Sequence, residues 1–85
     1  NTIFAHATGD SMINAGINDG DLLIVDTGQE ARSGQIVVAS IAGEQTVKRL
    51  KKTKDKLLLL PENPAYQPID VTGNERMHIV GVVRG

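Results

Sequence analysis

The sequence predicts a mainly β domain of about seven short strands with one short helical turn, arranged as a small folded-sheet or barrel-like unit. Two observations carry this prediction. The apolar segments are short and β-branched, and turn residues separate them at close intervals. No stretch shows the sustained 3.6-residue periodicity of a long amphipathic helix. The chain has 85 residues, read as one domain over 1–85. A domain of this size buries only about 60% of its unfolded surface, so its stability margin is thin.

The elements follow in order. Ile3 to Thr8 reads as a first strand, and Ser11 to Ala15 holds one helical turn. Gly16 to Gly20 is a turn ahead of the strand Asp21 to Asp26. Ser33-Gly34 turns the chain into Gln35 to Ile41. Ala42-Gly43 then joins that strand to Glu44 to Leu50, the signature of a two-residue hairpin. Lys56 to Leu60 is stopped by Pro61, and Glu62-Asn63-Pro64 is a turn. Tyr66 to Val71 and Met77 to Val83 complete the set.

Composition narrows the function. A net charge of −1 gives no strong field toward nucleic acid or membrane. Cysteine is absent, which removes disulfides and thiolate chemistry and fits the cytoplasm. No apolar run approaches the ~18 residues of a membrane span, and no signal peptide is present. The chain opens at Asn1 almost directly on a strand, which reads as a trimmed or processed chain.

The chemistry centres on a serine and a lysine. Ser11 sits in the turn Gly9-Asp10-Ser11-Met12. On the residues alone it reads first as a helix N-cap, a position that serine favours, with a nucleophile as the alternative. A nucleophile needs a base. In Gln45 to Leu50 the side chains alternate, so Thr46, Lys48 and Leu50 share one face. If Leu50 points inward, so does Lys48. Lysines on strands usually point to water, and alternation alone does not choose the face. An inward lysine must be paired or lose its proton. Holding one neutral near pH 7 costs about 4 kcal/mol, against a small domain's ~5–15 kcal/mol of total stability. Neutral lysine is a base, and Ser-Lys pairs substitute for Ser-His-Asp.

These residues resemble a known family. ATGDSMINAGINDGDLLIVD and SGQIVVASIAGEQTVKRL are similar to the catalytic domain of the LexA/UmuD family of self-cleaving serine peptidases, and the likeness covers nearly the whole chain. Its marks are the Gly-x-Ser-Met turn, the Asp-Gly-Asp-Leu-Leu strand entry and the Thr-Val-Lys-Arg-Leu strand. The 37-residue separation of Ser11 and Lys48 matches the family's. The resemblance implies that Ser11 is the nucleophile and Lys48 its general base. Gly9 and Met12 then support the turn and its oxyanion site. Self-cleavage falls at an Ala-Gly or Cys-Gly bond in an extended segment upstream. The pairs Ala15-Gly16 and Ala42-Gly43 fall in turns of the core and read as structural.

The resemblance also implies partners: a homodimer, a RecA filament on single-stranded DNA as activator, and, in the UmuD branch, a translesion DNA polymerase served as accessory subunit. Gly9-Asp10-Ser11-Met12 and the ungapped Pro68 to Val83 lean toward UmuD. KRLKK and LLLLPEN look as much like a LexA transcriptional repressor, the alternative. A signal-peptidase relative and an inactive peptidase fold used only for binding complete the readings.

Other residues have plainer explanations. Six of the nine basic residues fall between Lys48 and Lys56, read as a solvated hairpin edge rather than a DNA-facing patch. Asp19 and Asp21 flank Gly20 and read as turn chemistry. His6 and His78 lie on separate strands without metal-site spacing. Phe4 and Tyr66 are too few for base stacking, so direct nucleic-acid binding is not expected. No cofactor or metal is expected.

Overall fold

The computed structural model describes residues 1–85. Seven antiparallel strands form one sheet: β1 (Thr2–His6), β2 (Leu22–Asp26), β3 (Ile36–Ile41), β4 (Glu44–Lys52), β5 (Leu57–Leu60), β6 (Ile69–Asp70) and β7 (Met77–Val83). Their spatial order is β1-β2-β7-β3-β4-β5-β6. The sheet is folded rather than closed, since β1 and β6 each have a single neighbour. The only helical piece is a 3-10 turn, Ile13–Ala15. No helix is long and apolar enough to cross a membrane.

Two clusters of apolar side chains hold the sheet. The larger contains Ala31, Val37, Ala39, Leu50, Leu59, Val71 and Val82; the smaller contains Ala7, Leu23, Val25 and Val38. Strand β3 serves both, with Val37 and Ala39 in one and Val38 in the other. That double burial explains its unbroken apolar run Ile36-Val37-Val38-Ala39. Strand β2 alternates instead: Leu23 and Val25 are buried, Leu22 and Ile24 exposed.

The fold in the sheet lies where β7 meets β2 and β3. The β3–β7 register shifts between Val38 and Ala39, leaving Val80 as the extra residue of a β-bulge. Only Val25↔Val83 and Asp26↔Val82 pair β2 with β7. Gly81 lies at this crossing. A Cβ there would sit 2.6 Å from the Asp26 carbonyl oxygen and 2.7 Å from Val25 Cγ1, so only glycine permits the approach.

Four strands lie within one residue of the sequence reading; the helical turn starts at Ile13 rather than Ser11, and three strands differ by more than one residue. β1 ends at His6 rather than Thr8, because the chain turns out into the serine loop. β4 runs on to Lys52, matched residue for residue by β5 from Arg49↔Leu60 to Lys52↔Leu57. The strand expected over Tyr66 to Val71 shrinks to Ile69–Asp70. Pro68 has no N–H to give a ladder, and Tyr66 is engaged with the serine loop. Both Ala-Gly pairs lie in turns. Gly16, at φ 82°, ends the 3-10 turn. Ala42 and Gly43, at φ 52° and 89°, make the β3–β4 hairpin turn, which demands positive φ at both positions.

Two substitutions test this. Gly81→Ala should destabilise the domain by about 1–3 kcal/mol through overpacking against β2. For a domain this size each kcal/mol lowers the melting temperature by about 4–8 °C, readable by circular dichroism. Ala42→Gly removes an alanine from the left-handed region and should raise stability by about 1 kcal/mol.

Candidate active site

The serine turn hangs between two anchors. On one side it leaves β1 beside the chain entering β2. Ala7 N–H donates to the Asp21 carbonyl at 2.9 Å, and Gly20 N–H donates to the Ala7 carbonyl at 2.8 Å. The Gly9 N–H donates to Asp19 Oδ1 at 2.7 Å, with Gly9 at φ 78°. Asp19 therefore supports the serine loop, while Asp21 accepts from Asn18 N–H in an Asx turn. On the other side the loop after β5 grips the turn. Glu62 N–H donates to the Ser11 carbonyl at 2.7 Å, and Asn14 N–H donates to the Glu62 carbonyl at 2.9 Å. Asn63 Nδ2 donates to the Asp10 carbonyl at 2.9 Å, and the Tyr66 hydroxyl donates to Asp10 Oδ1. The Asp10 carboxylate holds the Tyr66 hydroxyl above its ordinary pKa, through that hydrogen bond first and its charge second.

Ser11 is not a cap. The residue at the N-cap position of the 3-10 turn is Met12, and no side chain caps it. The Ser11 hydroxyl is instead 2.8 Å from Lys48 Nζ. Met12 is 3% exposed, and its carbonyl accepts the Ala15 and Ile17 N–H groups, so it packs under the turn and braces it. The backbone N–H groups of Ser11 and Met12 donate to no acceptor within the chain.

Lys48 points inward with Leu50. It is 8% exposed, and Leu50 is 1% exposed. Its partner across the hairpin is the fully buried Val37. The ammonium has three donors and finds three neutral acceptors: Ser11 Oγ, Thr46 Oγ1 at 2.7 Å and the Val47 carbonyl at 3.2 Å. No carboxylate pairs with it. The ion pairs are Arg49–Glu62 and Arg84–Asp26. Burial without a counter-charge pulls the Lys48 pKa below 10.5. Thr46, placed by the alternation on the lysine's face, turns out to hold the amine; its hydroxyl is the site feature that the sequence reading left without a role.

A cleft between the end of β1 and β4 has Ser11 and Thr46, two of the lysine's partners, in its lining. Ala5, Ala7, Met12, Ile17, Val38 and Val47 give it apolar walls. The basic residues Lys51, Lys52, Lys54 and Lys56 are exposed at the projecting end of the β4–β5 hairpin, away from any free edge. His6 and His78 stay apart on β1 and β7, and no three metal-ligating side chains stand together.

The lowered lysine pKa makes a prediction with a definite sign. The unfolded chain binds the Lys48 proton more tightly than the folded chain, so stability rises with pH between the folded pKa and 10.5. Below the folded pKa the whole penalty is present. Lys48→Met should therefore gain most over the parent at pH 7 and less at pH 10. Urea unfolding of both proteins at the two pH values measures the difference.

The comparisons with known proteins identify the family. The Peptidase S24-like family model matches residues 1–84. The LexA repressor 2 of Pseudomonas syringae pv. tomato is 56% identical over 77 residues, 91% of this chain and 38% of that protein. The LexA repressor of Stenotrophomonas maltophilia is 53% identical over 77 residues, 91% of this chain and 36% of its own. That of Oleidesulfovibrio alaskensis is 49% identical over 80 residues, 94% and 39%. The chain thus spans less than two fifths of the length of these relatives. It belongs to the Peptidase S24-like family, as a serine peptidase domain of the LexA/UmuD kind.

Proposed function

We propose that Ser11 and Lys48 are the nucleophile and general base of a self-cleavage reaction, and that the chain is the self-cleavage domain of a LexA-like repressor. The observation that carries this is the 2.8 Å approach of Lys48 Nζ to a serine hydroxyl that caps nothing, with no carboxylate to keep the lysine charged.

The chemistry follows from the positions. An extended upstream segment lies in the cleft beside β1, adding main-chain hydrogen bonds to the sheet. Its covering of Lys48 removes the remaining water and favours the neutral amine. Lys48 takes the Ser11 proton as Ser11 Oγ attacks the scissile carbonyl carbon. The oxyanion settles on the unspent Ser11 and Met12 N–H groups. The Lys48 ammonium returns its proton to the leaving amine, and the acyl-enzyme remains. Water then attacks the ester with Lys48 again as base. Thr46 Oγ1 orients the amine throughout. The walls of alanine and β-branched side chains suit a small residue before the cut bond, in keeping with the Ala-Gly or Cys-Gly bond that the resemblance implies.

The relatives are repressors by name. On this reading the domain also dimerises, a RecA filament favours its cleavable state, and the protein works in the cytoplasm with its DNA-binding part upstream. The expected polymerase accessory subunit gains nothing from these relatives. It rests on two sequence features, Asp10 ahead of the serine, which the structure engages with Tyr66, and the ungapped Pro68 to Val83.

The test is the parent chain with its upstream segment, followed by intact mass as the pH rises. We expect a single upstream cut whose rate climbs through the lowered Lys48 pKa and levels off short of 10.5. Ser11→Ala and Lys48→Ala should each slow it by ~10^3-fold or more. The released piece separates repressor from polymerase subunit. A parent chain that stays whole even with an activated RecA filament overturns the peptidase reading.

A further inference from the structure

The nucleophile and its base arrive from distant parts of the chain, and something must fix the gap between them. Lys48 lies on β4. Its strand neighbour Arg49 pairs with Leu60 at the end of β5, and the loop that follows carries Glu62, Asn63 and Tyr66. Arg49 also reaches Glu62 at 3.4 Å and donates to the Gly34 carbonyl at 2.6 Å. The loop is therefore fastened to the same strand pair that carries the lysine. Its far end holds the serine turn at the Ser11 carbonyl, the Asp10 carbonyl and the Asp10 carboxylate. Asn63 closes the loop on itself by accepting the Ala65 N–H at 3.0 Å. Pro61, Pro64 and Pro68 restrict its backbone. Without this grip, the turn is moored only through the β1–β2 hairpin and the Gly9–Asp19 bond.

We infer that Asn63 and Tyr66 are positioning residues that set the distance from Ser11 Oγ to Lys48 Nζ by holding the main chain and side chain of Asp10. The inference rests on the peptidase reading above and deepens it. Neither residue touches the reacting atoms. Tyr66 is exposed, so its hydroxyl contributes little to folding, whereas a displacement of ~1 Å at a nucleophile costs a rate on the order of 100-fold.

The experiment uses the parent chain with two readouts at a temperature well below melting. One is the self-cleavage rate against pH. The other is labelling of Ser11 by a fluorophosphonate, in which the serine oxygen displaces fluoride from phosphorus and its proton passes to Lys48. Tyr66→Phe and Asn63→Ala should each lower both plateau rates by about tenfold or more. The midpoint of the pH profile should stay close to the parent's, because the burial that lowers the Lys48 pKa is unchanged. Asp10→Ala should match Tyr66→Phe, the double variant should be no slower than either single, and Asp10→Asn should recover the rate by keeping an oxygen for the hydroxyl. Thr53→Ala, which removes the Lys56 N–H contact in the β4–β5 turn, controls for stability lost elsewhere. Rates within twofold of the parent, or a loss no greater than Thr53→Ala produces, overturn the positioning role. A parent chain that neither cleaves nor labels overturns the peptidase reading, and the inference with it; a parent that does both, beside unaffected Tyr66 and Asn63 variants, overturns the inference alone.

Discussion

An amine sits inside this small domain with no charge to balance it, and the rest of the structure is arranged around that fact. Lys48 is walled by Val37 and Leu50 on the sheet face and met only by two hydroxyls and a carbonyl. A carboxylate in reach would make the site easier to fold, and it would raise the pKa. The neutral acceptors satisfy every N–H of the ammonium without favouring the charge strongly enough to keep it. Burial still penalises the charged form, so the Lys48 pKa stays below its ordinary value.

A thin core makes such a group hard to carry, and the sheet compensates by burying β3 on both faces. Val37 and Ala39 feed one cluster and Val38 the other, so one strand ties together the two halves of the molecule. Gly81 and the bulge at Val80 let β7 bend across to β2. That bend brings the β1–β2 hairpin, with the serine turn behind it, over the lysine strand. The approach of Ser11 to Lys48 is therefore a consequence of how the sheet folds, and the local turn chemistry only refines it.

Much of this was legible in the residues. The Ala42-Gly43 hairpin followed from two alternating runs and a two-residue gap. The alternation put Lys48 on the face of Leu50, but only the structure shows that this face is the inward one. The choice between cap and nucleophile for Ser11 was not legible, since both roles draw on the same residue type in the same turn. The structure removes the cap by placing Met12 at that position; the nucleophile is our proposal. The grip of Asn63 and Tyr66 on Asp10 spans 53 and 56 residues, and no periodicity reports a contact of that range. Glu62-Asn63-Pro64 read only as a turn for that reason. Asp19 likewise looked like plain turn chemistry, because its acceptor role depends on a loop ten residues earlier. The stunted β6 shows local chemistry overruling pattern: Pro68 interrupts a segment whose side chains otherwise suit a strand.

The sparse seam between β2 and β7 has a mechanical meaning. Two residue pairs join these strands, extended by the Arg84 and Gly85 contacts with Ile24, while β3 pairs along nearly its whole length with β4 and β7. Segments with few shared backbone bonds open at lower free energy than densely paired ones. The wall of the cleft formed by β1 is thus its compliant side, and the wall formed by β4 is its rigid side. Between them the serine turn is fastened to the rigid side through Glu62 and Asn63. A strand threading the cleft would meet one jaw that yields to admit it, and a serine turn held back from following that jaw by its second anchor.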